Sequence, residues 1–576
     1  MRLFLFILFP AIVANSCSQN SPAAWNGPKL DQQRDQLTVE QLRADSITAL
    51  LDMSYFTKPD WAGDALHSFA GSITIKEEEM TFPLDRAPYP GETLFPGFTI
   101  SFVSHKGELI PTRKSKIHTG AQSESLWDVV VGTGAVWQEE QDGEWSRASF
   151  PVTLTDRYIG PARNSVLTFV FKPGVISHIY MQSSQETADY NDKQVGDIRV
   201  MLQADFSPEL DADSLQVIEE HERYKSNKLP VYPLSAIDTS NEVLAYFEKS
   251  LYTNASTSLG ALMIDEKLYV QPPKTRHGLY PYPDEMRHGL YSVTKSLAGA
   301  LSLLYLAERY GEDIFDEYIT DYVPALADHP GWQGVTFSHT LNMATGTVGS
   351  ERSEHLFEVL IRARTAEESI QNIAQLGDAP ASPGERFNYA STNLFVLSYA
   401  MQNYVAEKEG PNTNYWDLVR ENVLKPIGAE YFSLQQTIET DGSHGIPRLA
   451  YGALPTLDEA AKIALLFLNE GEYDGRQLLN RNKTREALGR TDWSGYSTDN
   501  DYRGSNYRHS FWSTSLRANG CTVDVSYMLG YGGNYIWFLP SDIVAFRFMD
   551  EYDLDFRDLI SGIEKIRSSC AQNGMD

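Results

Sequence analysis

A chain of 576 residues is too long for one ordinary hydrophobic core, so two folded units are expected. With 42% hydrophobic and 22% charged residues it has the composition of a globular protein, not a disordered one. Its formal net charge of −29 argues against nucleic acid or an anionic membrane surface as a partner, because like charges repel.

The N-terminal stretch MRLFLFILFPAIVANSCSQN reads as an export signal over residues 1–16. Arg2 supplies the positive end, Leu3 to Ala14 the apolar run, and Ala14-Asn15-Ser16 the small-residue cleavage site. The run is too short to anchor the chain across a bilayer. Cys17 follows directly, so a lipoprotein signal with Cys17 acylated is the alternative, although Ala14 stands where such signals usually carry Leu. Membrane attachment is expected only if Cys17 is lipidated. Otherwise the exported chain is periplasmic or secreted. Two further cysteines remain, Cys521 and Cys570, which either form one disulfide or stay as buried thiols.

Residues 17–60 are polar, then weakly helical, and are expected to link the signal to the first folded unit. From 61 to 206 the texture is β, as in FTISFVS, LWDVVVGTGAVW and SVLTFVFKPGVISHIYM, with turn formers such as PYPGE between the runs. This predicts an all-β unit, a sandwich-like domain or a barrel. It shows no catalytic constellation. Residues 207–233, with a charged helical stretch and LPVYPLS, mark a boundary. From 234 to 576 the chain reads strand pair, helices, strands, final helix: one α+β domain whose first and last strands can share a sheet.

The chemistry-bearing stretch is HGLYSVTKSLAGALSLLYLAERYG, residues 288–311. From Leu297 onward it reads as a buried helix, yet Lys295 sits near its front, three places after Ser292. Residues i and i+3 share a helical face, which puts a hydroxyl beside an amine at a helix start. A lysine in such surroundings must pair, shift its pKa or snorkel to water. SVTK is the only Ser-x-x-Lys in the chain. Further on, SPGERFNYASTNLFVLSYAM places Tyr389 and Ser391 before an apolar helix, and GYGGNYIWFLP places a glycine-rich edge at a strand start. Neither H-E-x-x-H nor G-x-S-x-G is present, and no metal or other cofactor is expected.

On these three motifs, Ser292-Val293-Thr294-Lys295, Tyr389-Ala390-Ser391 and Tyr531-Gly532-Gly533, the C-terminal part resembles the serine β-lactamase and penicillin-binding-protein superfamily. It looks closest to the class C β-lactamase-related esterases and peptidases. The resemblance implies a β-lactamase/transpeptidase-like fold, an antiparallel sheet flanked by helices with a helical subdomain. It implies Ser292 as nucleophile through an acyl-enzyme. Lys295 and Tyr389 are its proton-handling partners, with the tyrosine's phenolate favoured by the nearby ammonium and the formal base left open. It also implies Ser391, Tyr531, Gly532, Gly533 and Asn534 at the substrate or oxyanion side, with backbone N–H groups of Ser292 and Asn534 as the oxyanion hole.

Two departures from the family pattern matter. Tyr531 stands where β-lactamases and transpeptidases carry lysine, and Ser391 replaces an asparagine amide. Both point towards ester or amide hydrolysis of a neutral small-molecule substrate, with an esterase as the leading activity. The alternatives are a D-amino-acid peptidase or amidase, a β-lactamase-type hydrolase or, from another class, a catalytically idle binding module. The oligomeric state is open.

Overall fold

The computed structural model describes residues 28–569, apart from 45–46, 85, 121–122, 159, 188–196, 250–256, 348–350, 352–355, 378–379, 442, 500, 502 and 551. The expected signal, Cys17 and Cys570 lie outside the described residues.

The β-rich unit is one sheet of eleven strands among the described residues. Its spatial order begins at Ile198–Leu202, passes through Ala162–Lys172, Ser146–Asp156 and Phe98–His105, and ends at Ala204–Ser207. The two edge strands are consecutive in the chain, with only Gln203 between them, so the sheet must curl until its edges meet. Every pairing is antiparallel, and the enclosed core is rich in phenylalanine: Phe69, Phe102, Phe150, Phe169 and Phe171 pack mostly edge to face or tilted. The N-terminal segment does more than link. Leu37, Leu42, Leu51, Met53 and Phe56 form a buried cluster with Tyr180 of the barrel and Tyr280 and Met286 of the next unit. Arg34 fixes it through a buried ion pair with Glu139 at 2.8 Å.

Helix α1 (Ser214–Ser226), N-capped by Asp213, leads into the second unit. There nine strands form one sheet: β1 (Val231–Pro233), β2 (Thr257–Ile264), β3 (Lys267–Gln271), β4 (Tyr496–Ser497), β5 (Asn506–Arg508), β6 (Phe511–Ala518), β7 (Cys521–Gly530), β8 (Asn534–Phe538) and β9 (Val544–Met549). The order is β1-β3-β2-β9-β8-β7-β6-β5-β4, so strands from the two ends of the domain, β2 and β9, lie side by side and antiparallel. The longest helices among the described residues of this unit are α2 (Leu301–Tyr310), α3 (Ser391–Glu409), α4 (Leu457–Leu468) and α5 (Arg557–Ile566). Helices α2 and α3 are apolar on nearly all sides and are buried accordingly. Cys521, at the start of β7, is disulfide-bonded.

The two units meet at the irregular segment leading into the nucleophile motif. Asn164 of the barrel holds the Arg287 backbone at both ends, accepting from its N–H at 3.1 Å and donating to its carbonyl at 2.8 Å. Gly289 passes so close to Gly160 that a Cβ would run into the Gly160 carbonyl oxygen. The barrel therefore buttresses the backbone three to five residues before Ser292.

Candidate active site

Ser292 lies in a short 3₁₀ turn, Tyr291–Val293, continued by a wide π-type turn, Lys295–Ala300, and then by α2. Such widened turns recur at functional sites because they re-aim side chains. Tyr291 has φ +46°, a left-handed conformation that a bulky residue adopts only when its surroundings impose it. Packing of this turn against β7 and β8, together with the barrel contacts of Arg287 and Gly289, is what imposes it here.

Lys295 is 1% exposed, and its amine makes three contacts: Ser292 Oγ at 2.8 Å, Ser391 Oγ at 3.0 Å and the Ala450 carbonyl at 2.8 Å. No carboxylate among the described residues pairs with it. Burial accordingly pulls its pKa down to about 8, Glu351 acting in the opposite sense and Arg503 adding to the fall. A neutral amine here can donate to Ser391 and Ala450 while accepting the Ser292 proton.

Tyr389 precedes α3, and the Lys295 amine sits 5.0 Å from its ring centre. Burial pushes its phenol well above the ordinary value and Glu351 adds to this, while Arg503 and a hydrogen bond with Ser292 oppose it. This reverses the expected phenolate: desolvation outweighs the attraction of nearby cations, and at neutral pH Tyr389 is a phenol. The electrostatics thus separate the pair, with the amine as proton acceptor and the phenol as donor.

Ser391 is the first residue of α3, but the hydrogen bond its hydroxyl makes is to Lys295, not to the helix backbone. The backbone N–H of Ser391 donates to Glu351. Among the cleft residues that sequence reasoning missed are Glu351, Arg503, Trp512 and Tyr552. Arg503 stacks over Tyr389 at 4.3 Å and Trp512 at 4.8 Å while Asp501 grips it through both carboxylate oxygens at 2.9 and 2.6 Å. Its charge is thereby answered within the protein.

The glycine-rich edge sits one step earlier than the motif reading placed it. Leu529, Gly530, Tyr531 and Gly532 line the cleft of about 550 Å³ that holds Ser292, Tyr389 and Ser391. Gly530 ends β7 against the nucleophile turn, where a Cβ would collide with the Leu290 carbonyl oxygen. Gly533 and Asn534 are not part of this lining. Gly533 instead lets the Asp553 carbonyl approach, and Asn534 is fully buried on β8, where its side chain donates to the Tyr531 carbonyl at 2.8 Å and accepts from Met549 N–H at 2.9 Å. The Asn534 side chain thus shapes the turn behind Tyr531, while Gly530 lies against the nucleophile turn at Leu290 and Val293. Tyr531 itself is 39% exposed and stands between Tyr291 and Tyr552, ring centres 5.6 and 5.5 Å away.

Two expected results arise here. Gly530→Ala should lower kcat/KM for any cleaved ester by at least about tenfold, because β7 must move away from the nucleophile turn to admit the methyl. Circular dichroism should be unchanged, and an unaltered kcat/KM would show that the close approach has no catalytic consequence. Second, kcat/KM should rise about tenfold per pH unit up to pH about 8 and level off above it, since only the neutral amine accepts the proton. A flat profile between pH 6 and 8 would contradict this.

Chemically, the cleft is that of a serine hydrolase. By sequence, residues 268–546 match the family model described as Beta-lactamase. Solved structures to which the chain is similar include a penicillin-binding protein from Bacillus halodurans, at 16% identity over 56% of this chain and 98% of that one, with a TM-score of 0.41. They also include a D-stereospecific amidohydrolase from Streptomyces sp. (14% identity, 57% and 98% covered, TM-score 0.40) and a family VIII carboxylesterase (13% identity, 58% and 98% covered, TM-score 0.44). No curated protein sequence matches the chain.

Proposed function

We propose that this serine hydrolase is an exported esterase acting on small esters that are uncharged around the scissile bond. The observation that carries the reading is the Lys295 amine, 2.8 Å from the Ser292 hydroxyl, with its pKa pulled down to about 8. Ser292 Oγ bonds to the acyl carbon while its proton passes to Lys295, and the carbonyl oxygen becomes an oxyanion beside the backbone N–H groups of Ser292 and Tyr531. Collapse breaks the ester C–O bond, and the departing alkoxide takes the Tyr389 proton, which Lys295 replaces. A water molecule then attacks the acyl-enzyme, with proton transfers in the reverse sense, releasing the acid and restoring Ser292.

The preference for neutral surroundings is supported by the cleft edge: Leu529, Gly530, Tyr531 and Gly532 carry no cation to receive a carboxylate beside the acyl carbon. Of the charged groups that line the cleft, Arg503 is held by Asp501 and Glu351 repels anions. Export is supported by the N-terminal apolar run and by the disulfide at Cys521, a bond that persists in oxidising compartments. No helix among the described residues is long and apolar enough to cross a membrane. A panel of p-nitrophenyl esters, amino-acid amides and nitrocefin tests the activity. Short-chain esters should be turned over at least about a hundredfold faster than nitrocefin, for want of the charge-assisted bond a lysine would supply. Efficient nitrocefin turnover would replace the esterase reading with the β-lactamase one.

A further inference from the structure

Next to the catalytic cleft lies a second, larger cavity of about 780 Å³, walled by both folded units. Tyr89, Leu126 and Arg157 come from the barrel, and Arg364, Ile438 and Arg448 from the catalytic domain. Ile361 lines both this cavity and the cleft that holds Ser292.

The charges on the two walls differ. The barrel side carries the acids Glu124, Asp128 and Asp156, with Asp128 satisfied by Arg157 at 3.0 Å and His118 at 2.8 Å. The catalytic-domain side carries Arg362, Arg364 and Arg448 and, among the described residues, no acid. In a chain of net charge −29 this is a local exception.

Arg448 is 2% exposed, and no carboxylate among the described residues pairs with it. Its guanidinium donates to the carbonyls of Leu360 at 2.7 Å and Ala363 at 2.6 Å and to the Tyr451 hydroxyl at 3.2 Å, leaving Nε buried without a partner. A buried guanidinium without a counter-anion is unfavourable, so its surroundings favour the arrival of one. Arg364, exposed on the same wall, makes no side-chain hydrogen bond or ion pair with any described residue, although its backbone is held by Glu368 and Ile438. Two arginines without a counter-anion among the described residues thus flank a cavity in which Tyr89, Leu126, Tyr158, Ile361 and Ile438 supply apolar surface between the polar groups.

We propose that this cavity is the distal subsite of the hydrolase. It takes a carboxylate carried on an apolar stem at the far end of the ester whose acyl carbon reacts with Ser292. This rests on the esterase reading and refines it: neutral at the scissile bond, acidic at the remote end. Tyr89, Leu126, Ile361 and Ile438 pack along the stem, and Arg364 and Arg448 receive the charge. The cavity exists only because the barrel supplies its second wall, which gives the barrel a part in substrate selection.

The test uses the full chain and mono-p-nitrophenyl esters of straight dicarboxylic acids, glutarate to sebacate, each beside its methyl-capped counterpart. At one or more chain lengths the free acid should have a KM at least about tenfold lower than the capped ester, and the advantage should shrink with added salt. Arg364→Gln should bring the two KM values together. Equal KM values for acid and capped ester at every length in the unmodified protein would overturn the proposal while leaving the esterase reading intact. Direct binding of suberate, followed by calorimetry, reads the subsite without turnover. Binding should weaken at least about tenfold in Arg364→Gln, and absent or unaltered binding would again overturn the proposal. Failure to cleave any ester would count against the esterase reading alone.

Discussion

Lys295→Ala should lower kcat/KM by about 10² to 10⁴, Tyr389→Phe by a comparable factor, and the double variant by little more than the worse single one. The expectation follows from geometry. The amine reaches Ser292 Oγ directly at 2.8 Å and lies 5.0 Å from the Tyr389 ring, so the proton taken from serine and the proton given to the leaving group travel through one connected set of atoms. Removing either end interrupts the same relay, and removing both cannot interrupt it twice. Ester hydrolysis measured across the four proteins at pH 8.5 gives the coupling directly. Losses that multiply would mean that lysine and tyrosine act in separate steps. A further consequence distinguishes the two roles. Because burial lowers the amine and raises the phenol, the inflection near pH 8 should vanish in Lys295→Ala and persist in Tyr389→Phe. Persistence of that inflection without the lysine would assign it to another group.

The grouping of Ser292, Lys295 and Tyr389 in one cleft was legible in the sequence because local spacing encodes it. A serine and lysine at i and i+3 before an apolar helix leave few arrangements for the amine. Tyr389 and Ser391 were likewise marked by a turn followed by a long apolar run. The glycine-rich edge was harder to read. GYGGN offers three glycines, and only the close approach of one of them to the Leu290 carbonyl oxygen, a tertiary fact, singles out Gly530. Glu351, Arg503, Trp512 and Tyr552 carried no signal at all. They reach the cleft from separate loops and strands, and a lone Arg between Asp501 and Gly504 looks like any surface turn.

The barrel was legible as β-rich but not as closed, since closure depends on how eleven strands are ordered in space. The N-terminal segment hid its packing behind a polar composition. Its buried residues Leu37, Leu42, Leu51, Met53 and Phe56 are spaced irregularly and follow neither a helical nor a strand period. The direction of the Tyr389 shift also lay beyond the sequence. Motif order places an ammonium near the phenol, whereas burial, which decides the outcome, is known only from packing.

Covalent capture of Ser292 tests the central claim most directly. Ser292 is partly exposed in the cleft, beside a buried amine able to take its proton, and an activated serine of this kind reacts with fluorophosphonates while the ordinary serines of the chain do not. Incubation of the full-length protein with such a probe, followed by peptide mass spectrometry, should show one adduct, on the peptide bearing Ser292. Activity should be lost in step with labelling, and Ser292→Ala should neither label nor turn over ester. An adduct on another serine, or hydrolysis at the unmodified rate in Ser292→Ala, would contradict the account.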